Sequence, residues 1–380
     1  MIKKILKFVS LTILSLIILI AVIGIVFVNF SKEFGANPSD EKVAKYANES
    51  NFNSADKKFE NLIPTSMDMS FKNMMSSLSE FIKGNPNGRP GEELPLIKID
   101  SLQIVENTNK TRLIWFGHSS FLLQIEGKNI LLDPMLGNVP APHPLLGGKR
   151  YTKELPIEIE KLPVIDAIII SHDHYDHLDY GSIQKLKEKT KAFYVPLGVS
   201  AHFEAWGVSS ESIHEMNWWE ETQLGEVHLA FTPSRHFSGR GLTNRNTTLW
   251  GSWVIIGKED TLYFSGDSGY GPHFKVIGEK YGPFDFAMME CGQYNEKWDQ
   301  IHMMPEETAQ SGVDINAKVI MPIHWGAFTL ALHDWNDPAI RVSEAAKKLN
   351  LKLLTPKIGE SIWLDDLKAS TSEWWRTKVN

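Results

Sequence analysis

Cysteine is almost absent from this chain. Cys291 is the single cysteine among 380 residues, so the chain can form no internal disulfide and no cysteine-rich zinc cluster. Any bound metal ion must therefore be held by histidine and carboxylate side chains.

A basic excess is also absent, because 39 lysines and arginines stand against 46 aspartates and glutamates, for a net charge of −7. This balance argues against a general nucleic-acid-binding protein, so we expect no nucleic-acid partner.

Charged residues are missing from positions 8–30, which directly follow Lys3, Lys4 and Lys7. A membrane-spanning helix needs about 20 apolar residues. The apolar part of a signal peptide is roughly 7–15 residues long and precedes a small-residue cleavage site. Because the run is long and no convincing site follows, we predict an uncleaved anchor over residues 1–30. The flanking lysines predict a cytoplasmic N-terminus and place the rest of the chain on the periplasmic or extracellular side; secretion after signal cleavage is the alternative.

Polar and turn-forming residues separate this run from the strand-rich part of the chain. Residues 31–65 are polar, and residues 84–95 are dense in the helix-breaking Gly and Pro. Between them, residues 66–83 carry Met, Phe, Leu and Ile at helical spacing. We predict a polar lead-in with one amphipathic helix over 31–96 and a globular domain over 97–380. The apolar helix face either packs on the core or offers a Met-rich surface to acyl chains or a bilayer.

Strand-like segments outnumber helix-like segments in the globular part. Strands are predicted over 111–117, 120–134 with a hairpin around Glu126 and Gly127, 165–171, 191–196, 227–234, 248–257, 261–269, 284–290 and 318–326. Helices are predicted over 181–189 and 305–315. Because the helices come late in each half, this order favours an α+β fold in which two sheets pack face to face with helices outside.

Histidine and aspartate recur just past these apolar strands. The stretch SHDHYDHLDY at 171–180 follows the buried strand that ends in AIII, and FTPSRH, FSGDSG and MPIHWG repeat the pattern later. Strand ends converge on one edge of a layered fold, so these side chains can meet in space. The candidate metal ligands are His172, His174, Asp176, His177, His236, Asp267 and His324.

The number and type of these side chains predict a metal centre. Neutral imidazole and carboxylate are good zinc ligands. Five histidines and two aspartates exceed the needs of one tetrahedral ion and match two divalent ions, zinc above all, that share one carboxylate. Two such ions can clamp a water molecule and the oxygens of a displacement reaction.

The H-x-H-x-D-H pattern, with a later His, the Asp of GDSG and a last His after a strand, resembles the metallo-β-lactamase superfamily. Segments such as WFGHSSFLLQIEGKNILLDP, LWGSWVIIG, FSGDSGYGPHF and IHWGAF, spread over residues 111–365, narrow the similarity to N-acylphosphatidylethanolamine-hydrolysing phospholipase D and its bacterial relatives. The resemblance implies an αββα sandwich with the metal site at one edge of the sheets.

The resemblance also implies roles for single residues. One ion would be held by His172, His174 and His236, and a second by Asp176, His177 and His324, with Asp267 bridging both. His302 would lie near the substrate phosphate and Tyr175 would be a second substrate-binding residue. Asp176, Asp267 and His302 would be catalytic, and His118 and Asp133 would orient the ligands.

Together these observations predict a membrane-anchored, dinuclear zinc phosphodiesterase. It would hydrolyse N-acylphosphatidylethanolamine or a related phospholipid by the attack of a hydroxide that bridges the two ions. Two alternatives remain open. One is a lactone or carboxyl-ester hydrolase with the same fold, and the other is a metal-bound lipid-binding module without turnover.

Overall fold

Two seven-stranded β-sheets form the centre of the molecule, a computed structural model that describes residues 1–67, 70–105, 110–367 and 372–376. The α-helices within these residues are α1 Ile2–Phe30, α2 Asp40–Tyr46, α3 Phe71–Lys83, α4 Ser101–Val105, α5 Tyr180–Leu186, α6 Ser200–Ala205, α7 His273–Tyr281, α8 Pro305–Asp314 and α9 Asp337–Lys348. The strands are β1 Phe52–Asn53, β2 Lys58–Phe59, β3 Arg112–Trp115, β4 Phe121–Ile125, β5 Lys128–Leu132, β6 Ile165–Ile169, β7 Thr190–Pro196, β8 Ile213–Met216, β9 Glu221–Leu224, β10 Val227–Thr232, β11 Ser252–Ile256, β12 Thr261–Phe264, β13 Phe286–Glu290, β14 Val319–Ile323, β15 Lys352–Leu353 and β16 Ser361–Trp363.

The two large sheets share one strand pattern. The first sheet has the order β16-β3-β4-β5-β6-β7-β8 and the second has β15-β14-β13-β12-β11-β10-β9. In each sheet the pairs on one side are antiparallel and the pairs on the other are parallel, with the changes at β5–β6 and β12–β13. Parallel neighbours need a crossover connection. Helices α5 to α9 provide five of them, and the long loop over residues 133–164 provides the one between β5 and β6. The short strands β1 and β2 form a separate hairpin.

Three apolar layers hold the sheets and helices together. Side chains such as Leu123 from the first sheet and Trp253 from the second belong to one buried cluster between the sheets. Helices α5 and α6 cover the outer face of the first sheet, where Ile183 and Phe203 pack with its strands. Helices α7, α8 and α9 cover the second sheet in the same way. The predicted αββα sandwich of an α+β fold is therefore confirmed.

Every predicted strand is present, and the two that differ most from their predicted bounds lie in the second sheet. The β4–β5 hairpin turns at Glu126 and Gly127, both with positive φ, as the sequence indicated. The strand predicted over 248–257 begins only at Ser252, and the strand predicted over 261–269 ends at Phe264. Gly266 explains the early end, because it has φ +54 and a Cβ there would lie 2.6 Å from the Cβ of Ser171. The chain thus leaves the sheet in a tight turn directly before Asp267.

Helix α1 projects from the sandwich and approaches it only with its last turns. It spans 29 residues, has a mean hydropathy of 3.2 in its most apolar window and buries none of its residues. Its length and composition make it a candidate transmembrane span, and a signal sequence has the same properties. The residues that follow are packed against the sandwich: the Nε1 of Trp206 donates to the carbonyl of Lys32 at 2.7 Å, and Tyr46 and Phe59 join the cluster between the sheets.

We predict that a chain lacking residues 1–30 folds and stays soluble without detergent, because α1 buries no residue against the domain. Its melting temperature should match that of the full-length chain. Deletion of residues 1–37 is the matched control. It also removes the hydrogen bonds that the carbonyls of Lys32 and Glu33 accept from Trp206 and Arg240, so the melting temperature should fall by several degrees. Gel filtration and thermal unfolding by circular dichroism measure both effects, and an insoluble 31–380 chain would contradict the prediction.

Candidate metal centre

The loop after β6 brings four ligand-type side chains to the edge of the first sheet. All residues of β6 are buried, and the loop begins where this strand ends at Ile169. The loop then carries His172, His174, Asp176 and His177 before α5 begins. Asp179 ends the loop as the N-cap of α5, where its carboxylate accepts a hydrogen bond from the backbone N–H of Ser182 at 2.7 Å.

Three more predicted side chains reach the same place from the second sheet. His236 follows β10, Asp267 follows β12 and His324 follows β14. His324 has φ +67, and its backbone N–H donates to the carbonyl of His118 at 3.2 Å. The N–H of His118, itself at φ +56, donates to the carbonyl of Trp325 at 3.0 Å. These two backbone hydrogen bonds hold the edges of the two sheets together. All seven predicted side chains therefore lie in one cluster.

The first group of ligand atoms comes from three histidines. The Nδ1 of His174 lies 2.8 Å from the Nε2 of His172 and 3.3 Å from the Nε2 of His236. With Asp267 they form a set whose ligand atoms all lie within 4.8 Å of one another. His172 and His236 are buried and His174 is half-buried, so the group opens toward one side.

The second group is built around Asp176. Its Oδ2 lies 3.1 Å from the Nε2 of His324, 3.5 Å from the Nε2 of His177 and 2.8 Å from the Nε2 of His118. These four residues form a second set with ligand atoms within 4.8 Å. His118 was predicted as an orienting residue, and here it holds the Asp176 carboxylate directly.

Asp267 lies between the two groups. Its Oδ2 is 3.2 Å from the Nε2 atoms of His177 and His324, and 3.8 and 3.7 Å from those of His172 and His236. The Oδ1 of Asp267 and the Nε2 of His177 are buried without a hydrogen-bond partner. Leaving such atoms unsatisfied costs about 1–3 kcal/mol each. A cation would satisfy them, and imidazole with carboxylate is a donor set that suits zinc, so these residues fit a bound divalent metal.

Asp133 orients two of the histidines from behind. Its Oδ2 lies 2.7 Å from the Nδ1 of His177 and accepts the hydroxyl of Ser171 at 2.5 Å, while its Oδ1 accepts the Ser171 N–H at 2.7 Å. The Ser171 hydroxyl in turn lies 3.0 Å from the Nδ1 of His172. These contacts leave the Nε2 atoms of both histidines directed at the cluster, as is usual for metal ligands.

Glu290, which the sequence reasoning missed, orients two further histidines, His324 and His302, as Asp133 orients His177 and His172. It closes β13 and is fully buried. Its Oε1 lies 3.3 Å from the Nδ1 of both His324 and His302, and its Oε2 accepts the N–H of Met303 at 2.9 Å. The available signal was a lone carboxylate at the end of the apolar run FAMME, since a buried acid needs partners.

Asp173 was also missed, although it lies inside the motif. Its Oδ1 accepts the N–H of Gly239 at 2.7 Å, and its Oδ2 accepts the hydroxyl of Thr248 at 2.8 Å and lies 3.1 Å from the Nε2 of His202. Asp173 therefore ties the motif loop to the loop that carries His236. His202, an isolated histidine in the sequence, is explained by this partner.

Burial and neighbouring charges divide the histidines into two kinds. Burial lowers the pKa of His172 well below its ordinary value, and the adjacent His177 and His174 act in the same direction. Burial also opposes the charged form of His324, but the carboxylates of Asp267 and Asp176 outweigh it and raise its pKa to about 10. Because a metal ligand must be neutral imidazole, a cation that binds beside His324 displaces a proton.

Four of the seven predicted ligands, His174, Asp176, Asp267 and His324, line a cavity of about 200 Å³. His302 lies in its wall, with its ring 5.1 Å from that of His324 and nearly parallel to it, and 5.0 Å from the ring of His236. The apolar side chains around the cavity are Met67, Phe237, Trp298, Ile301 and Leu330. These apolar side chains are called the rim below. Together with the predicted metal ligands they suit a bound molecule that has a charged group and a hydrocarbon part.

Tyr175 is the predicted site residue that points elsewhere. Its hydroxyl donates to the carbonyl of Arg240 at 2.7 Å, and its ring lies 4.1 Å from the Arg240 guanidinium and 6.2 Å from the ring of Phe34. It is not among the residues that line the cavity. The structure places Tyr175 between the motif loop and the segment after α1, and its role in substrate binding stays a prediction.

The fold and the clustered ligands define a metallo-β-lactamase-type, metal-dependent hydrolase. Residues 128–325, more than half of the chain, match the family model described as the beta-lactamase superfamily domain. The chain belongs to this superfamily.

Curated relatives and solved structures agree. A protein of Caenorhabditis elegans described as N-acyl-phosphatidylethanolamine-hydrolyzing phospholipase D 1 is 31% identical over 266 residues, which cover 66% of this chain and 74% of that protein. An uncharacterized protein of Mycobacterium tuberculosis is 36% identical over 329 residues, 85% of this chain and 87% of its own. The crystal structure of a possible metal-dependent hydrolase from Veillonella parvula superposes with a TM-score of 0.55 at 17% identity and covers 67% of this chain and 99% of that one. The structural likeness shows the fold.

Substitution of Asp133 by Asn should weaken metal binding about 10–100-fold, because the substitution keeps the shape and removes the charge that orients His177. Metal content after dialysis against a graded series of chelator concentrations measures the loss. Asp166→Asn is the control, since Asp166 lies in β6 at the opposite edge of the same sheet and pairs with Lys191. Equal retention of metal by the two variants would contradict the assigned role of Asp133.

Proposed function

We propose that this protein is a membrane-associated, dinuclear metal-dependent phosphodiesterase of the phospholipase D type that hydrolyses N-acylphosphatidylethanolamine or a related phospholipid. One observation carries the proposal. A single carboxylate oxygen, the Oδ2 of Asp267, lies within 3.2–3.8 Å of four imidazole nitrogens that come from two separate groups. One ion needs about four ligands, so this arrangement favours two cations with Asp267 between them.

The two groups would divide the ligands as follows. His172, His174 and His236 hold one ion, and Asp176, His177 and His324 hold the other, with Asp267 shared. Zinc is the metal that this donor set favours. When bound, two such ions supply positive charge for a phosphate and lower the barrier for water to attack phosphorus.

His302 would position the phosphate. Its Nδ1 contact with Glu290 at 3.3 Å leaves Nε2 as the atom available to a ligand in the cavity. An imidazole N–H at this wall can hydrogen-bond a phosphate oxygen or deliver a proton to the leaving oxygen. Glu290 contacts both His302 and His324, so it sets the distance between the phosphate-binding wall and the metal cluster.

The surroundings of the cavity support a lipid as the substrate. The rim is apolar, and α3 presents exposed Met74, Met75, Leu78 and Phe81 next to it. The Nζ of Lys297, the residue before rim residue Trp298, donates to the Glu80 carboxylate at 2.9 Å, so α3 lies close to the cavity. The apolar stripe of α3 is therefore exposed rather than packed on the core. Acyl chains of a phospholipid would cover it, and the Caenorhabditis elegans relative named as a phospholipase D points to the same substrate class.

Purified protein should release phosphatidic acid from vesicles or micelles that contain N-acylphosphatidylethanolamine, as measured by mass spectrometry of the lipid products. His172→Ala is the control, because it removes a ligand from the first group. A panel of lactones and carboxyl esters is assayed in parallel. Phosphatidic acid no higher than in the control would contradict the proposal, and hydrolysis of the ester panel alone would favour the carboxyl-ester alternative. No hydrolysis of either class by metal-loaded protein would favour the lipid-binding module.

Metal content tests the dinuclear arrangement separately. Elemental analysis of the purified chain should give about two ions per chain, and His236→Ala should retain about one, because only the first group loses a ligand. His228→Ala is the matched control. His228 lies at the start of β10 and pairs with Glu221, whereas His236 follows the end of that strand. A single ion in the wild-type chain would contradict the prediction.

A further inference from the structure

The anchor helix joins the catalytic domain without a free linker. Only one residue after α1 ends, the carbonyl of Lys32 accepts the Nε1 of Trp206 at 2.7 Å. The carbonyl of Glu33 accepts both Nε and Nη2 of Arg240 at 2.9 and 2.6 Å. Trp206 and Arg240 are buried, so these bonds are protected from water. The orientation of the domain relative to α1 is therefore set by packing.

Two loops of the domain lie alongside the last turns of α1. In one loop, the ring of His143 lies 6.0 Å from that of Phe27. In the other, residues 241–244 face α1 residues Ala21, Gly24, Ile25 and Val28 across a cavity of about 640 Å³. Ala21 precedes the end of α1 by nine residues, which is about 13 Å along the helix axis. The second loop therefore lies beside the last turns of α1, up to about 13 Å before the C-terminal end of the helix.

Both loops expose leucine at their tips. Leu145 and Leu146 are 87% and 63% exposed, and Leu242 is 86% exposed. Residues 139–149 and 236–248 contain no aspartate or glutamate. Exposed leucines that cluster on one side of a protein mark an interaction surface, and the absence of acids suits a surface that carries phosphate groups.

We propose that these two loops insert their leucines into the bilayer that α1 crosses, so that lipid headgroups and upper acyl chains surround Leu145, Leu146 and Leu242. The proposal rests on the membrane association in the proposed function and adds the surface by which the domain contacts lipid. The loop of Leu242 begins at the cavity: Phe237 lies on the rim, and the Arg245 guanidinium lies 3.9 Å over its ring. A phospholipid would pass from the bilayer along this loop to the metal cluster.

Depth measurements on the full-length chain test the proposal. Leu242→Cys and Leu146→Cys are each labelled with an environment-sensitive fluorophore and reconstituted in phosphatidylcholine–phosphatidylglycerol vesicles. Cys291 is fully buried, so the wild-type chain serves as the labelling blank. Val276→Cys, at an exposed aliphatic position on α7 of the opposite layer, is the matched control. Circular dichroism confirms that each labelled chain is folded.

The expected result is emission at shorter wavelength and strong quenching by lipids that carry a nitroxide on the acyl chain at positions 242 and 146, with neither effect at position 276. Equal quenching at the three positions would overturn the proposal. Emission at shorter wavelength without nitroxide quenching would also overturn it, since a second copy of the chain then covers the loops.

Hydrolysis of N-acylphosphatidylethanolamine in detergent micelles is measured on the same samples. Activity without quenching refutes the membrane surface alone, whereas quenching without activity supports the surface and refutes the proposed function.

Discussion

The carboxylate of Asp267 is the constraint on which the rest of this structure depends. It is buried, its Oδ1 has no hydrogen-bond partner and its Oδ2 lies among four imidazole nitrogens. A buried charge of this kind is unfavourable unless cations or hydrogen bonds compensate it. The neighbouring imidazoles hold the pKa of Asp267 well below its usual range even though burial acts in the opposite direction. The fold thus keeps a negative charge at a point where two metal ions would share it.

The sandwich brings the predicted ligands together because strands of both sheets end at this point. The motif loop follows β6, His236 follows β10, Asp267 follows β12 and His324 follows β14. Behind them, Asp133 after β5 and Glu290 at the end of β13 hold the outer nitrogens of the histidines. Each of these strands is buried at the end next to the cluster, so the packing of the core determines where the predicted ligands lie. Under the proposed function, substrate specificity would depend on the segments around this core, namely the apolar rim and α3.

The sequence was sufficient for the parts of the structure with a strong local pattern. The H-x-H-x-D-H loop and the apolar strands before His236, Asp267 and His324 predicted both the sandwich and the cluster. Glu290 and Asp173 were missed, because their roles depend on hydrogen-bond partners outside their own sequence motifs, such as His302 and Thr248. Strand ends set by tight turns, as at Gly266, were also missed. The contacts of Lys32 and Glu33 with the domain have no sequence signature at all, since they involve backbone carbonyls.

Anomalous diffraction from zinc-loaded crystals tests the central claim most directly. The account predicts two anomalous peaks, one beside His172, His174 and His236 and the other beside Asp176, His177 and His324, with the Asp267 carboxylate between them. A single peak, or two peaks of which neither lies next to Asp267, would contradict it.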